Sequence, residues 1–327
     1  MKKVLFFLFL FGSLFVYGQK GESYIEYHRK CRLAEEYFLK NDTLNCFSTY
    51  NSVFENYSFL FPRDCFMAVQ IAHKLKNDSL SVEYLLKGIQ FGINPDFFTV
   101  DTLDTYASNL LDLKNSVYWP KVERMKDSLH YIYFNSVDWN LKSELMRLIR
   151  EDQNWRRRNN KWFNRKFRPG LEKQFQVYSK QCLLFLDSVF IISGYPGNWL
   201  IGTGDSLSYQ TDYASFNNAN LGDLVSIIIY HSDSANVQYG DFLYKEIDKG
   251  HIHPRVYAMI RDFQDRHLVK RDKKQKMYYN IWWEQESLTV NEIEKHCYEI
   301  GCPTKQHLRY LSDKLGRGYD VFWSPFR

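Results

Sequence analysis

The sequence predicts a mostly α-helical protein, and three observations indicate that class. Glycine and proline are scarce over residues 23–134, where apolar side chains recur at spacings of three and four. Amphipathic helical patterns resume after residue 138. Only the segment 275–283 is rich in the β-branched and aromatic side chains typical of a strand. We therefore expect helical hairpins over 23–134, then a helical domain over 138–327 with at most a small β-hairpin.

The first eighteen residues have the features of a secretory signal peptide. Lys2 and Lys3 precede an unbroken apolar run over 4–11, and Gly18 stands just before the expected cleavage site at Gln19. No cysteine follows the apolar run directly, so a lipid anchor is not expected. An uncleaved membrane anchor is the alternative. The sequence predicts an exported protein whose mature chain starts near Gln19.

Composition and charge limit the class of protein. Hydrophobic residues make up 45% of the chain and aromatic residues 17%, which supports a substantial core and argues against disorder. A net charge of +5 over 327 residues does not imply a nucleic-acid partner. An exported chain with an even number of cysteines can form disulfides, although buried free thiols are the alternative. The six cysteines are Cys31, Cys46, Cys65, Cys182, Cys297 and Cys302.

Two segments of the first region repeat. Leu39–Leu44 and Leu75–Leu80 share the pattern Leu-Lys-Asn-Asp-Thr/Ser-Leu at an offset of 36 residues, and Ala34 matches Ala68 at an offset of 34. This period resembles tetratricopeptide repeats over residues 24–95, although the Trp and Leu-Gly positions of that family are absent. The resemblance implies stacked helix pairs. A generic bundle of helical hairpins is the alternative.

A basic run follows the first helix of the second region. Residues 156–168 contain seven positive and no negative side chains, interleaved with Trp162, Phe163 and Phe167. Such a stretch can grip anions, so an anionic glycan or a membrane surface is a candidate partner for residues 155–168. Nucleic acid is not expected for an exported chain. A solvated helix face with buried aromatic side chains is the alternative.

A glycine-rich stretch around Tyr195-Pro196-Gly197 raises the question of a phosphate-binding loop. Gly197 and Gly202 have the Walker spacing, but Thr203-Gly204 replaces the required Lys-Ser/Thr pair. Proline followed by glycine is typical of a type II turn. We therefore expect a turn and no cofactor.

Several short motifs of the second region occur in a defined order. They are Asp152-Gln153-x-x-Arg156, Tyr195-Pro196-Gly197, Tyr230-His231-Ser232-Asp233, Gln238, Gly250 with Pro254, and Asp265-Arg266 with Gln275. This order resembles a family of uncharacterised Bacteroidota proteins, a domain of unknown function, over residues 138–327. The sequence departs from the family at Tyr278-Tyr279-Asn280-Ile281, where Tyr-Gly-Thr-Gln is usual. The resemblance implies no activity, but it implies the periplasm or exterior of a Gram-negative bacterium.

The same motifs supply the candidate catalytic residues. They are His231, Asp152, Arg156, Asp265 and Arg266. A histidine beside carboxylates is suited to general acid–base chemistry, because its pKa lies near neutrality. The alternative is a buried ion-pair network in which His231 caps the apolar helix that precedes it.

Two histidine-containing segments carry residue types that bind metals. His251 and His253 precede Pro254, which favours a helix start over a metal-binding strand. Cys297 and Cys302 are spaced more widely than in the usual zinc knuckle, so a disulfide or free thiols are expected. No metal site is therefore predicted.

Two hypotheses for function follow. The first is an exported scaffold that binds a protein on the surface of the helix pairs. The second is an enzyme with hydrolase-like acid–base chemistry around His231. A scaffold requires an exposed apolar or aromatic groove on residues 24–134, whereas an enzyme requires His231 and the carboxylates to converge on a pocket. The sequence does not indicate the oligomeric state.

Overall fold

The structure, a computed structural model, describes residues 23–95, 108–160, 168–203, 223, 225–230, 235–271, 278–281, 288–316 and 319. These residues form α-helices and one 3₁₀ helix and no strand, which confirms the predicted mostly-α class. The helices are α1 Tyr24–Leu39, α2 Thr43–Asn56, α3 Pro62–Lys74, α4 Asp78–Gln90, the 3₁₀ helix Ser108–Asn115, α5 Trp119–Ser136, α6 Trp139–Asn160, α7 Arg168–Ser193, α8 Asn198–Ile201, α9 Ser226–Tyr230, α10 Ala235–Asp248, α11 Pro254–Arg271, α12 Val290–Glu299 and α13 Lys305–Leu315.

The segment expected as a strand or hairpin is described only in part. Residues 278–281 are irregular backbone, while 275–277 and 282–283 lie outside the described residues. The irregular backbone is held by Asp262 of α11, whose carboxylate accepts hydrogen bonds from the backbone N–H groups of Tyr279 and Ile281. The Asp262 carboxylate therefore accepts the backbone hydrogen bonds that a neighbouring strand would accept in a sheet.

The first four helices form two hairpins with equivalent turns. Asn41 and Lys76 adopt positive φ angles of 62° and 60°, and each precedes the N-cap of the next helix. Those N-caps are Asp42 and Asn77, whose side chains accept from backbone N–H groups. The structural offset is therefore 35 residues, which lies between the two offsets in the sequence. The hairpins agree with a helical repeat, while membership of the tetratricopeptide family stays a prediction.

The described helices pack around two buried clusters. The first lies among α1–α5 and is rich in aromatic side chains, including Tyr27, Tyr50 and Phe61. It also receives Leu308, Leu311 and Leu315 of α13. The chain therefore returns at its last described helix to the core made by its first helices. The predicted boundary near residue 136 falls between α5 and α6, but α13 packs across it.

The second cluster lies among α6, α7 and α9–α12. Its fully buried members include Leu186 of α7, Ile229 of α9 and Ile247 of α10. The two clusters meet where Gly250 abuts the ring of Tyr24. A Cβ added at Gly250 would lie 2.6 Å from that ring, and the φ of Gly250 is +77°. Only glycine allows α1 to approach the α10–α11 turn so closely.

Candidate functional site

A small polar cavity lies where the two clusters meet. Its volume is about 30 Å³. Polar and charged side chains from α1, α3 and the start of α11 line it, notably His28, Arg32, Glu35, Asp64, His253 and Arg255. A space of this size holds about one or two water molecules. The cavity is therefore suited to a water or a small ion, because small-molecule sites measure roughly 300–1,000 Å³.

His28, Asp64 and His253 form the centre of this cavity. Their potential ligand atoms all lie within 4.8 Å of one another. The Asp64 carboxylate is 3.5 Å from Nδ1 of His28 and 3.5 Å from Nε2 of His253. Two ligands of a tetrahedral zinc ion stand about 3.3 Å apart, given metal–nitrogen bonds near 2 Å. The distances alone therefore fit a metal site.

The hydrogen bonding of His253 favours a different role. Its Nδ1 accepts the backbone N–H of Arg255 at 3.1 Å, which caps the start of α11. A neutral imidazole that accepts at Nδ1 carries its proton on Nε2, the atom that faces Asp64. A metal ion at Nε2 would require this proton to move and the cap to break. The geometry therefore favours a cluster in which both imidazoles lie against the Asp64 carboxylate without a metal ion between them.

The protonation states of His253 and Asp64 follow from burial and from the contacts between their side chains. Burial, opposed by the carboxylate of Asp64, lowers the pKa of His253 to about 3, so its imidazole is neutral at neutral pH. Burial also disfavours ionisation of Asp64, but its contacts with His253 and His28 outweigh burial and hold the Asp64 pKa well below its usual range. Asp64 is thus a buried carboxylate stabilised by two imidazoles.

Further polar contacts join α1 to the last two helices around the cavity. Oε2 of Glu35 lies 2.7 Å from Nε2 of His307. Arg32 pairs with Glu294, and Arg29 donates to the backbone oxygen of Tyr298 at 3.0 Å. This side of α1 is therefore held by charged groups as well as by apolar packing.

The glycine-rich stretch forms a tight turn against the α10–α11 loop. Oε2 of the fully buried Glu246 accepts the N–H of Tyr195 at 2.7 Å and contacts Nδ1 of His251 at the same distance. A Cβ added at Gly197 would lie 2.0 Å from the backbone oxygen of His251. The backbone of His251 therefore fills the space on this side of Gly197. The predicted type II turn is wrong, because it requires a positive φ at Gly197, whereas Gly197 has a φ of −83° and is the N-cap of α8. The N–H of Gly197 instead donates to the backbone oxygen of Tyr195 at 2.9 Å, which closes a tighter turn. Gly204 lies outside the described residues.

His251 is the more accessible member of this arrangement. Its ring stacks on Trp199 with centroids 4.1 Å apart, and its side chain is 22% exposed. Burial raises the pKa of Glu246, but hydrogen bonds from His251, Lys249 and Tyr195 prevail and lower it to about 2. Glu246 therefore stays ionised and orients a partly exposed imidazole, an arrangement compatible with acid–base chemistry.

The predicted catalytic residues are described only in part. His231 lies outside the described residues, and the side chains of Arg156 and Arg266 also lie outside them. Asp152 is buried on α6 and accepts from Gln153 at 3.1 Å. Asp265 is buried on α11, where it pairs with Arg261 at 3.4 Å. The convergence of these residues on His231 stays a prediction.

A buried carboxylate that the sequence reasoning missed lies one turn before Asp265. Asp262 is fully buried and accepts from Tyr279 at 2.8 Å and Ile281 at 2.6 Å. Burial, against the effect of these hydrogen bonds, raises its pKa to about 7. The signal available in the sequence was spacing, because Asp262 stands one helical turn before Asp265. Glu246, His28 and Asp64 were missed for another reason, since each stands in an ordinary amphipathic helix.

Comparison with known proteins gives no assignment. No family model matches the chain, and the searches of curated proteins and of solved structures found no match. Both resemblances in the sequence, to tetratricopeptide repeats and to the Bacteroidota family, therefore stay predictions.

Proposed function

We propose that this protein is an exported scaffold that binds another protein through the outer face of α7. The observation that carries this proposal is an exposed apolar stripe along that helix. Val177, Leu184 and Ile191 follow one another at intervals of seven residues and are 54%, 58% and 85% exposed. Ile192 beside them is 82% exposed. A row of large apolar side chains left in water marks an interaction surface more often than a single exposed one.

The opposite side of α7 holds the helix in place. Cys182 and Leu186 are buried in the second cluster. Helix α7 cannot detach from the protein without exposing the second buried cluster to water. The stripe is therefore a fixed surface, which lowers the entropic cost of binding because the helix is already ordered.

A protein partner fits this surface better than a membrane. The segment Lys173–Ser193 is long and apolar enough to cross a bilayer by length and composition, and 17% of it is buried. However, Lys173, Lys180 and Gln181 are exposed on the same helix and interrupt the apolar surface. Charged side chains in the hydrocarbon region are costly. A partner that offers an apolar surface with acidic groups would match both the stripe and the basic run that ends where α7 begins.

The polar cavity beside α1 is not suited to catalysis on an organic molecule. Its volume of about 30 Å³ leaves no room for an organic substrate. A second exposed patch, Tyr131 and Phe134 on α5, adds apolar surface on the first region. An enzyme with acid–base chemistry around His231 is the second candidate, favoured by the carboxylate of Asp265, whose pKa burial raises.

Photocrosslinking in the intact producing cell tests the scaffold. A photoreactive amino acid would replace Ile191 in one variant, Leu184 in a second and Leu44 in a third. Leu44 is 84% exposed on α2, so it is the matched control. We expect a crosslink to one discrete protein from the two α7 positions and none from Leu44. We also expect Ile192→Asp to abolish the Leu184 crosslink.

Three outcomes would contradict the proposal. One is the same adduct from Leu44, which would indicate random collision. Another is the absence of any protein adduct from α7. The third is an adduct to lipid only, together with flotation of the purified chain on vesicles of anionic phospholipid, which would assign the stripe to a membrane surface.

A further inference from the structure

The end of α12 forms a turn with a defined hydrogen-bond pattern. The N–H of Cys302 donates to the backbone oxygen of Cys297 at 2.8 Å, and the N–H of Gly301 donates to that of Tyr298 at 3.1 Å. Gly301 adopts a φ of +73°. These features define a Schellman motif, in which glycine ends the helix in the left-handed conformation.

A Schellman motif brings two particular side chains together. The residue after the glycine packs against the residue five positions earlier, and this pair is usually apolar. Here the pair is Cys302 and Cys297, and both are fully buried free thiols. Sγ of Cys302 lies 3.5 Å from the backbone oxygen of Pro303, so this thiol is held at the turn. Such a turn also places the two Cα atoms close together, as a disulfide needs at roughly 4.4–6.8 Å.

We propose that Cys297 and Cys302 form an intrachain disulfide in the exported protein. Both S–H bonds break and one S–S bond forms, which releases two protons and two electrons. A protein disulfide of a thiol oxidase in the export compartment accepts the electrons and becomes a dithiol. Such oxidants act in the periplasm, whereas the cytoplasm keeps thiols reduced.

The bond is expected to form while the chain folds. The hydrogen bond with Cys302, and then burial, raise the pKa of the Cys297 thiol well above its usual value. A thiol in this state supplies little thiolate, the reactive form, once the core has closed. Oxidation therefore precedes burial of the turn, and the disulfide is protected afterwards.

The position of the turn gives the disulfide a structural role. A Cβ added at Gly301 would lie 2.7 Å from Cβ of His28, so the turn packs directly on α1. Arg32 of α1 donates to the backbone oxygen of Cys302 at 3.4 Å. A covalent bond across this turn fixes the surface on which α1 rests beside the polar cavity. Export would thereby strengthen the junction of the two regions.

Peptide mapping tests the bond directly. The full-length gene would be expressed for export, and the protein alkylated with iodoacetamide without reduction and digested with trypsin. Both cysteines fall in the peptide 296–305, between Lys295 and Lys305. We expect this peptide unalkylated and two hydrogens lighter than the dithiol form. Cys182→Ala is the control and should leave this peptide unchanged.

A thermal measurement gives a second readout. We expect reductant to lower the Tm of the exported protein by about 3 °C, as estimated for a short closed loop in a chain of this size. Reductant should not change the Tm of the double variant C297A/C302A. Refolding the mature chain in a glutathione redox buffer tests whether the disulfide forms without export. A failure of export and a failure of the turn geometry can then be told apart. Two alkylated cysteines in peptide 296–305 from both preparations, or a bond from Cys297 to another cysteine, would overturn the proposal.

Discussion

The two regions of this protein are held together in different ways. In the first, over the described residues 23–95 and 108–136, the helices form an aromatic core, and the short turns after α1 and α3 are capped locally by Asp42 and Asn77. In the second, over residues 139–316, buried carboxylates hold backbone that is distant along the chain. Glu246 accepts the N–H of Tyr195, and Asp262 accepts two N–H groups of the segment 278–281.

This difference concerns the range of the interactions. A cap satisfies a donor two or three residues away, so it depends on local sequence. A buried carboxylate that accepts from a distant turn depends on correct packing of the whole region, and leaving its partners unpaired costs more. We therefore expect the second region to be more sensitive to changes in its turns and to pH.

The largest expected effect comes from the turn at Gly197. Gly197→Ala places a Cβ 2.0 Å from the backbone oxygen of His251, a group that cannot move without shifting the α10–α11 turn. We expect a loss of about 3 kcal/mol in the free energy of unfolding. Urea denaturation measures this value.

Gly170→Ala is the matched control for that substitution. Gly170 lies in α7 with no atom within 4 Å of an added Cβ. Alanine is the better helix former, so this variant should be as stable as the wild type or up to about 1 kcal/mol more stable. Equal effects at the two glycines would show that the close packing around Gly197 does not hold in solution.

The next effect concerns His231 and decides between a structural and a catalytic role. If His231 makes a buried hydrogen bond at the end of α9, His231→Ala should lower the free energy of unfolding by about 1–3 kcal/mol. We expect this outcome. His130→Ala is the control, because His130 is exposed on α5. An unchanged melting temperature in His231→Ala would favour the enzyme hypothesis.

The remaining effect, which changes with solution conditions, is a pH dependence that arises from Asp262. Its pKa is raised from 3.8 to about 7 in the folded protein, so the folded state holds a proton that the unfolded state releases. Stability from this group is full below about pH 4 and falls as pH rises towards 7. The slope is at most about 1.4 kcal/mol per pH unit. Glu246 acts in the opposite sense, because its lowered pKa costs stability only as pH falls from about 4.5 towards 2.

Urea denaturation at a series of pH values from 5 to 7 checks this prediction. Asp262→Asn should flatten the decline relative to the wild type, because the titrating group is gone. Asp241→Asn, on the exposed surface of α10, should keep the wild-type slope. An identical slope in Asp262→Asn would assign the decline to other groups.

The sequence predicted the helices well because their signals are local. Apolar spacing and the Lys-Asn-Asp turns each act within a few residues. The register of the repeat was less certain, since the matching letters gave offsets of 34 and 36 and the backbone gives 35. The left-handed residue is Asn41 in one turn and Lys76 in the other. The shared sequence pattern therefore places the left-handed residue one position later in the first turn than in the second.

The candidate site was harder to predict. His28 and Asp64 stand in ordinary helices with no motif around them. His253 was a candidate metal ligand together with His251, and the sequence favoured a helix start instead. The sequence directed attention to His231, Asp152 and Asp265, whose shared site stays a prediction. Cys297 and Cys302 were recognised as a pair, but the sequence left a disulfide and free thiols as equal choices. The hydrogen bonds at Gly301 provided the geometry for the bond.

The sequence by itself determined the helical class, the turns between neighbouring helices and the expectation of export, because each depends on side-chain patterns within one segment. The tertiary structure alone decided that α13 returns to the first core, that Asp64 meets two histidines from distant helices, and that one face of α7 stays in water. The physical reason is that burial and polar pairing depend on how helices pack across the whole chain. The periodicity of one helix indicates which face is apolar, and only packing decides whether another surface covers it.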